Sequence, residues 1–172
     1  MVADLFHYGH VELLRQARGL GDYLLVGVHA DDAVLAHKRK TILTMEERVA
    51  CVAGCRYVDE VLPNAPWITD RDWIEKHNIS LVAHGSDYSQ KDLKQTHAVP
   101  IEMGILRTVA YTPGISTTEI IRRCREAEQV GPPLLHFPQA GGTIGPGARQ
   151  QRISERRRRR GKQAGVHGTI GA

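Results

Sequence analysis

The chain is poor in cysteine, with three in 172 residues, too few for a complete disulfide framework. That scarcity favours a reducing compartment. It also lacks a long apolar run: stretches such as residues 23–28 fall far short of the roughly 18 to 20 residues of a membrane span, so integral membrane insertion is not expected. No basic stretch with an apolar core and a cleavage site stands near Met1, and the expected location is cytoplasmic. What remains is length for one ordinary core, with 41% of residues hydrophobic.

Acidic residues are nearly missing from the chain's end. From Val130 onward, eight Lys or Arg face the single acid Glu155, whereas residues 1–129 are net acidic. Gly131, Pro132, Pro133 and the Gly-rich stretch at 141–147 leave no hydrophobic period there. The expected organisation is therefore a folded domain over residues 1–129 and a disordered Gly/Pro/Arg-rich tail over 130–172. Arg156, Arg157, Arg158, Arg159 and Arg160 could meet nucleic acid or anionic lipid. A solvated tail is the simpler reading, and nucleic acid is not expected as a partner except through that run.

Within residues 1–129, short apolar runs alternate with amphipathic stretches. The run at 23–28, preceded by Gly21-Asp22, predicts a buried parallel strand, and 80–84 and 107–111 predict two more. Helical spacing is found over 11–20, 45–55, 70–77 and 117–128. This order implies an α/β fold with a mainly parallel sheet, helices on both faces, and ligands at the carboxyl ends of the strands.

Three clusters carry candidate chemistry. His7-Tyr8-Gly9-His10 stands directly before the first helix, where two imidazoles and free backbone amides could converge on an anion favoured by the helix dipole. Gly9 would let a phosphate approach the backbone. Gly114-Ile115-Ser116-Thr117-Thr118 opens the last helix after a strand, and its hydroxyls suit either capping or phosphate contact. Between them, His37-Lys38-Arg39-Lys40 is a cationic stretch that would otherwise be a solvated loop. No metal-ligating cluster is expected.

Together these residues resemble the cytidylyltransferase family of the His-x-Gly-His nucleotidyltransferase superfamily, with the ethanolamine-phosphate and choline-phosphate branches closest. The similarity runs from about Asp4 to Arg123. Asp4-Leu5-Phe6-His7-Tyr8-Gly9-His10 resembles the first signature and Gly114-Ile115-Ser116-Thr117-Thr118 the last, with Glu46-Glu47-Arg48, Arg56-Tyr57-Val58-Asp59 and Asn64-Ala65-Pro66-Trp67 in family order between them. The resemblance implies a Rossmann-like nucleotidyltransferase fold and transfer of CMP from CTP to a phosphorylated amino-alcohol, phosphoethanolamine first, giving a CDP-alcohol and pyrophosphate for phospholipid synthesis. It implies His7, His10 and Lys38 as catalytic residues, with Gly9, Asp87, Gly114, Ser116 and Thr117 at the nucleotide and Asp4, Trp67 and Tyr88 at the substrate. Aromatic rings there would attract the ammonium group. It further implies Mg²⁺ accompanying CTP and a homodimer, with Arg56 to Asp59 contributing to the interface. Glycerol-3-phosphate as substrate, or a truncated non-catalytic nucleotide-binding protein, are the alternatives.

Two departures stand out. The family's first strand, normally central, is missing ahead of Asp4, which would leave its neighbours' edges open. Tyr111-Thr112-Pro113 replaces the more usual Arg-Thr-Glu, so Arg107 or Arg122 would have to supply the phosphate-facing guanidinium.

Overall fold

The computed structural model describes residues 1–130 and 167–170. They belong to two compact units, Met1–Thr117 with Gly165–Ala172, and Thr118–Ala164. The first unit is built on a five-stranded parallel sheet. β1 (Tyr23–His29) pairs with β2 (Glu60–Ala65) on one side and with β5 (His167–Ile170) on the other; β5 pairs with β3 (Leu81–Gly85), and β3 with β4 (Leu106–Val109). Along the chain run α1 (Tyr8–Arg18), α2 (Asp31–His37), α3 (Met45–Gly54), α4 (Arg71–Lys76), α5 (Gln90–Thr96) and α6 (Ala98–Glu102), and α7 (Thr117–Val130) follows β4.

Side chains alternate across the sheet as a strand requires. Leu24, Val26 and Val28 pack with Leu14 and Ala17 of α1 and Val52 of α3, whereas Leu25 joins Ile74, Ile79 and Val82 on the opposite face. Both faces are covered, which is why the 23–28 run shows no polar alternation.

β2 is only hinted at in the sequence, because Pro63 and Asn64 interrupt its pattern. As an edge strand it tolerates the proline. Its register with β1 slips between Val28↔Pro63 and His29↔Ala65, and Asn64, at φ +57°, absorbs the extra residue as a bulge. This bend carries the chain toward Trp67.

The central slot of the sheet draws on the far end of the sequence. It is filled by β5, which comes from the segment expected to be a disordered tail; residues 131–166 and 171–172, including the five arginines, lie outside the described residues. Gly168 pairs with Leu24 and Leu81, and Ile170 with Val26 and Ala83. Beyond Ile170 the same flank of β1 is taken by Met1, whose carbonyl accepts from the His29 amide at 3.0 Å and whose buried amine donates to the Gly27 carbonyl. The edges of β1 and β3 are therefore paired. Four residues with one large apolar side chain carry too little pattern to be read as a strand, and a backbone ladder between two apolar strands needs little pattern.

Tyr57 and Val58 pack against the core, and Asp59 accepts from the Leu24 amide and pairs with Arg18. In the second unit, residues 118–130 of α7 are braced by Arg122 with Glu119 and Glu126, and by Arg123 with Glu119. Cys51, Cys55 and Cys124 are free thiols. No helix among the described residues is long and apolar enough to cross a membrane.

Candidate active site

The carboxyl ends of the strands gather the signature residues. Lys38 follows β1 and α2, Trp67 follows β2, Asp87 and Tyr88 follow β3, and the loop 111–117 follows β4. α1 is tied to this edge through Gln16, whose amide exchanges two hydrogen bonds with the backbone of Ala110, both 3.0 Å.

His7 is the N-cap of α1 and His10 lies three residues into it. The Gly9 amide donates to His7 Nδ1 at 3.1 Å, and the His7 amide donates to His10 Nδ1 at 3.2 Å. The backbone amides expected to face an anion are thus partly spent on the imidazoles themselves. In return both Nδ1 atoms act as acceptors, so each neutral ring carries its proton on Nε2. The two rings lie 3.9 Å apart between centroids, and Phe6 stacks on His10. Gly9 is tightly packed: a Cβ there would stand 3.0 Å from His7 Cε1 and 3.1 Å from Ile115 Cγ2. That contact brings the first and last signatures together.

Asp4 is buried, between Ala3 and Leu5, which both adopt left-handed φ values of +58° and +46°. Such conformations cost on the order of 1–2 kcal/mol each and mark a loop held in place by its surroundings. The holding contacts are visible. Asp4 accepts from the amides of Ile42 and Leu43 and pairs with Arg39 at 2.9 Å, and its carbonyl accepts from Thr117 Oγ1 at 2.8 Å. Burial alone would raise the Asp4 carboxyl, but the Leu43 and Ile42 amides and the Arg39 guanidinium outweigh it and hold its pKa below the usual range. Asp4 and Thr117, expected at the ligand, also join residues 39–43 and the start of α7 to the first loop. Ser116 is half-buried beside Thr117, and Gly114 supplies the turn at φ +79°. Tyr111 closes that loop by donating from its hydroxyl to the Ile115 carbonyl at 3.3 Å, while its amide donates to Ser86 Oγ. Arg107 donates to the carbonyls of Gly104 and Leu106, and Arg122 is taken by its two glutamates.

Lys38, Trp67 and Tyr88 come together. Lys38 Nζ donates to the Tyr88 hydroxyl at 2.8 Å and lies 5.3 Å from the Tyr88 ring centroid and 5.6 Å from that of Trp67. Trp67 is itself held by His37, stacked at 4.5 Å, and by His29 at 4.9 Å. Behind Tyr88 the buried His84 meets its ring edge-on at 4.3 Å, and His97 meets His84 at 4.8 Å. Asp87 is exposed, and its Oδ1 lies so close to Gly85 that a Cβ there would approach it to 2.6 Å.

Neither His29 nor His37 stands out in the sequence as supporting Trp67; nothing short of the β2 bulge would reveal them. Arg48 is the other residue whose role the sequence hides. Fully buried, it donates to the carbonyls of Val2 and His29 and pairs with Asp31 at 2.5 Å, joining the first loop to the end of β1.

Burial lowers the pKa of four imidazoles: His10 to about 3, with the nearby His7 adding to the effect, His97 to about 4, and His7 and His84 below the ordinary value. Folded His10 and His97 stay neutral while their unfolded counterparts take up protons below pH 6.5, so the unfolded state gains protons and stability falls with pH. Each group withdraws up to about 1.4 kcal/mol per pH unit between 6.5 and its folded value. Urea midpoints should therefore drop clearly from pH 7 to pH 5; equal midpoints would show that these imidazoles are not held neutral.

The chain matches the family described as Cytidylyltransferase-like over residues 2–123. It is 48% identical over 126 residues to the ethanolamine-phosphate cytidylyltransferase of Arabidopsis thaliana, a match covering 70% of this chain and 30% of that protein. The probable ethanolamine-phosphate cytidylyltransferase of Encephalitozoon cuniculi is 46% identical over 121 residues, covering 70% and 38%. Choline-phosphate cytidylyltransferase A of Homo sapiens is 39% identical over 132 residues, covering 71% and 34%. The match thus spans about a third of the length of these curated relatives. Among solved structures, the lipopolysaccharide core biosynthesis protein of Thermoplasma volcanium shares the fold, with a TM-score of 0.52 at 21% identity over 65% of this chain and 91% of that one.

Proposed function

The chain belongs to the cytidylyltransferase-like family, and from that premise we propose that it transfers CMP from CTP to phosphoethanolamine, giving CDP-ethanolamine and pyrophosphate. A phosphate oxygen of phosphoethanolamine attacks the α-phosphorus of CTP, and the bond from that phosphorus to the bridging oxygen of the leaving pyrophosphate breaks. The attacking phosphate is ionised near neutral pH and needs no general base. The reaction needs alignment and stabilisation of the charge that grows on the α-phosphate and pyrophosphate.

The observation that supports this reading most directly is the paired use of Nδ1 in His7 and His10, which leaves two Nε2–H donors on adjacent rings. They act as neutral donors, so positive charge has to come from elsewhere. Lys38 is the candidate, with Ser116 and the turn at Gly114 beside the outer phosphates and Thr117 fixing that turn. Among the described residues no group of three or more His, Cys, Asp or Glu side chains could hold a metal ion. Mg²⁺ would arrive with the CTP triphosphate and would supply charge neutralisation there.

Trp67 and Tyr88 are assigned to the substrate's ammonium, with Asp87 as a counter-charge. In support, an alkylammonium, that of Lys38, already lies over both rings. A homodimer and a cytoplasmic location belong to the same proposal. Pyrophosphate release with CTP should be fastest with phosphoethanolamine when that substrate, phosphocholine and glycerol-3-phosphate are compared in parallel. Preference for glycerol-3-phosphate with no response to either amine would overturn the choice of alcohol. Silence with all three would favour a nucleotide-binding protein without catalysis.

A further inference from the structure

Lys38 is placed where two roles compete. It leaves the last turn of α2, and its ammonium is fixed by the Tyr88 hydroxyl at 2.8 Å and by the faces of Tyr88 and Trp67. The Trp67 face cannot easily yield, because His37 stacks on it with an interplanar angle of 11° and His29 abuts it. The lysine is thus turned toward the rings.

An alkylammonium on a short chain is also what phosphoethanolamine carries. Two such cations within a few ångströms repel each other, and one pair of ring faces serves one of them. We propose that Lys38 is parked in the ammonium seat formed by Trp67 and Tyr88, and that the substrate's own ammonium displaces it toward the phosphates. This rests on the assignment of those rings to the amino-alcohol and of Lys38 to the phosphates. The consequence is a form of specificity that operates on turnover. A phosphate ester without an amine binds through its phosphate but leaves the lysine in the seat, so it loses kcat more than KM.

The measurement is lysine ¹³Cε NMR on the full chain, with the Lys38 signal identified by its loss in Lys38→Arg. Without substrate, its ε protons should be shifted upfield by the two rings. Saturation with phosphoethanolamine should return them to the ordinary lysine position, whereas saturation with ethyl phosphate should leave them shifted. Persistence of the ring shift in protein saturated with phosphoethanolamine and turning it over would overturn the parked lysine while leaving the proposed reaction intact. Absence of both binding and turnover of phosphoethanolamine would remove the reading beneath it and the parked lysine with it. A second variant gives a kinetic check: Tyr88→Phe keeps the ring but frees Lys38 from its hydrogen bond, and should raise kcat for ethyl phosphate relative to phosphoethanolamine by roughly tenfold. An unchanged ratio would count against the proposal.

Discussion

Replacing His10 with Asn should lower the turnover of CMP transfer by on the order of 100-fold or more, about as much as His10→Ala, with little change in KM. His10 has two separable duties. Its Nδ1 accepts from the His7 amide, a bond that shapes the start of α1, and its Nε2–H is the donor left for phosphate. An Asn carbonyl stands close to where Nδ1 was and can preserve the first duty, but it leaves nothing at the Nε2 position. A Gln amide reaches toward Nε2 and should recover part of the rate. If Asn retained most of the turnover while Ala lost it, the role of His10 would be confined to the cap. Because the imidazoles act in their neutral form, kcat should not fall as pH rises through 6.5. The rate should fall instead below about pH 6, where the substrate phosphate takes up its proton. A decline on the alkaline side with a midpoint near 6.5 would mean that an imidazolium is required. Lys38→Ala, which removes the one cation assigned to the phosphates, should cost turnover on a similar scale.

Much of this site is legible in the sequence because its residues are adjacent in the chain and their chemistry is local. His7, Gly9 and His10 fall within one helical turn, and a helix start presents its donors whatever lies around it. The buried strand at 23–28 is equally plain, since a strand covered on both faces must be apolar throughout. What escapes is whatever depends on a partner distant in the chain. Asp4 reads as a ligand residue, and its contacts with residues 39–43 and Thr117 are visible only in the fold. Lys38 reads as a free cation until Trp67 and Tyr88, brought in from two other strand ends, are seen around it. Arg48 sits inside an ordinary helical pattern, and only the three-way junction of Val2, His29 and Asp31 explains a fully buried guanidinium. Conversely, the sequence shows only that Tyr111 stands in place of an arginine, and not that its phenol holds the Ile115 carbonyl and its backbone amide holds Ser86.

Removing residues 165–172 should cost the first unit on the order of 5 kcal/mol or more, and it should promote association between chains. The expectation follows from where β5 lies. A strand at the margin of a sheet can be lost with its own ladder alone, but β5 stands between β1 and β3, so its loss opens two edges at once. Those edges belong to the most apolar strands of the molecule, with Leu24, Leu25, Val26 and Val82 all buried. Each buried backbone group left without a partner costs about 1–3 kcal/mol, and registers from Tyr23↔His167 to Ala83↔Ile170 are affected. Catalysis should suffer with stability, because Met1 continues along β1 beyond Ile170 and leads, through the strained turn at Ala3 and Leu5, to His7. A gentler probe is Thr169→Pro, which removes one ladder donor without shortening the chain and is poorly tolerated in a central strand. Hydrogen exchange at the amides of residues 24–28 and 82–85 should then accelerate well before those of α3 do. Unaltered protection of β1 and β3 in either variant, with an unchanged melting temperature, would mean that the sheet closes without this strand.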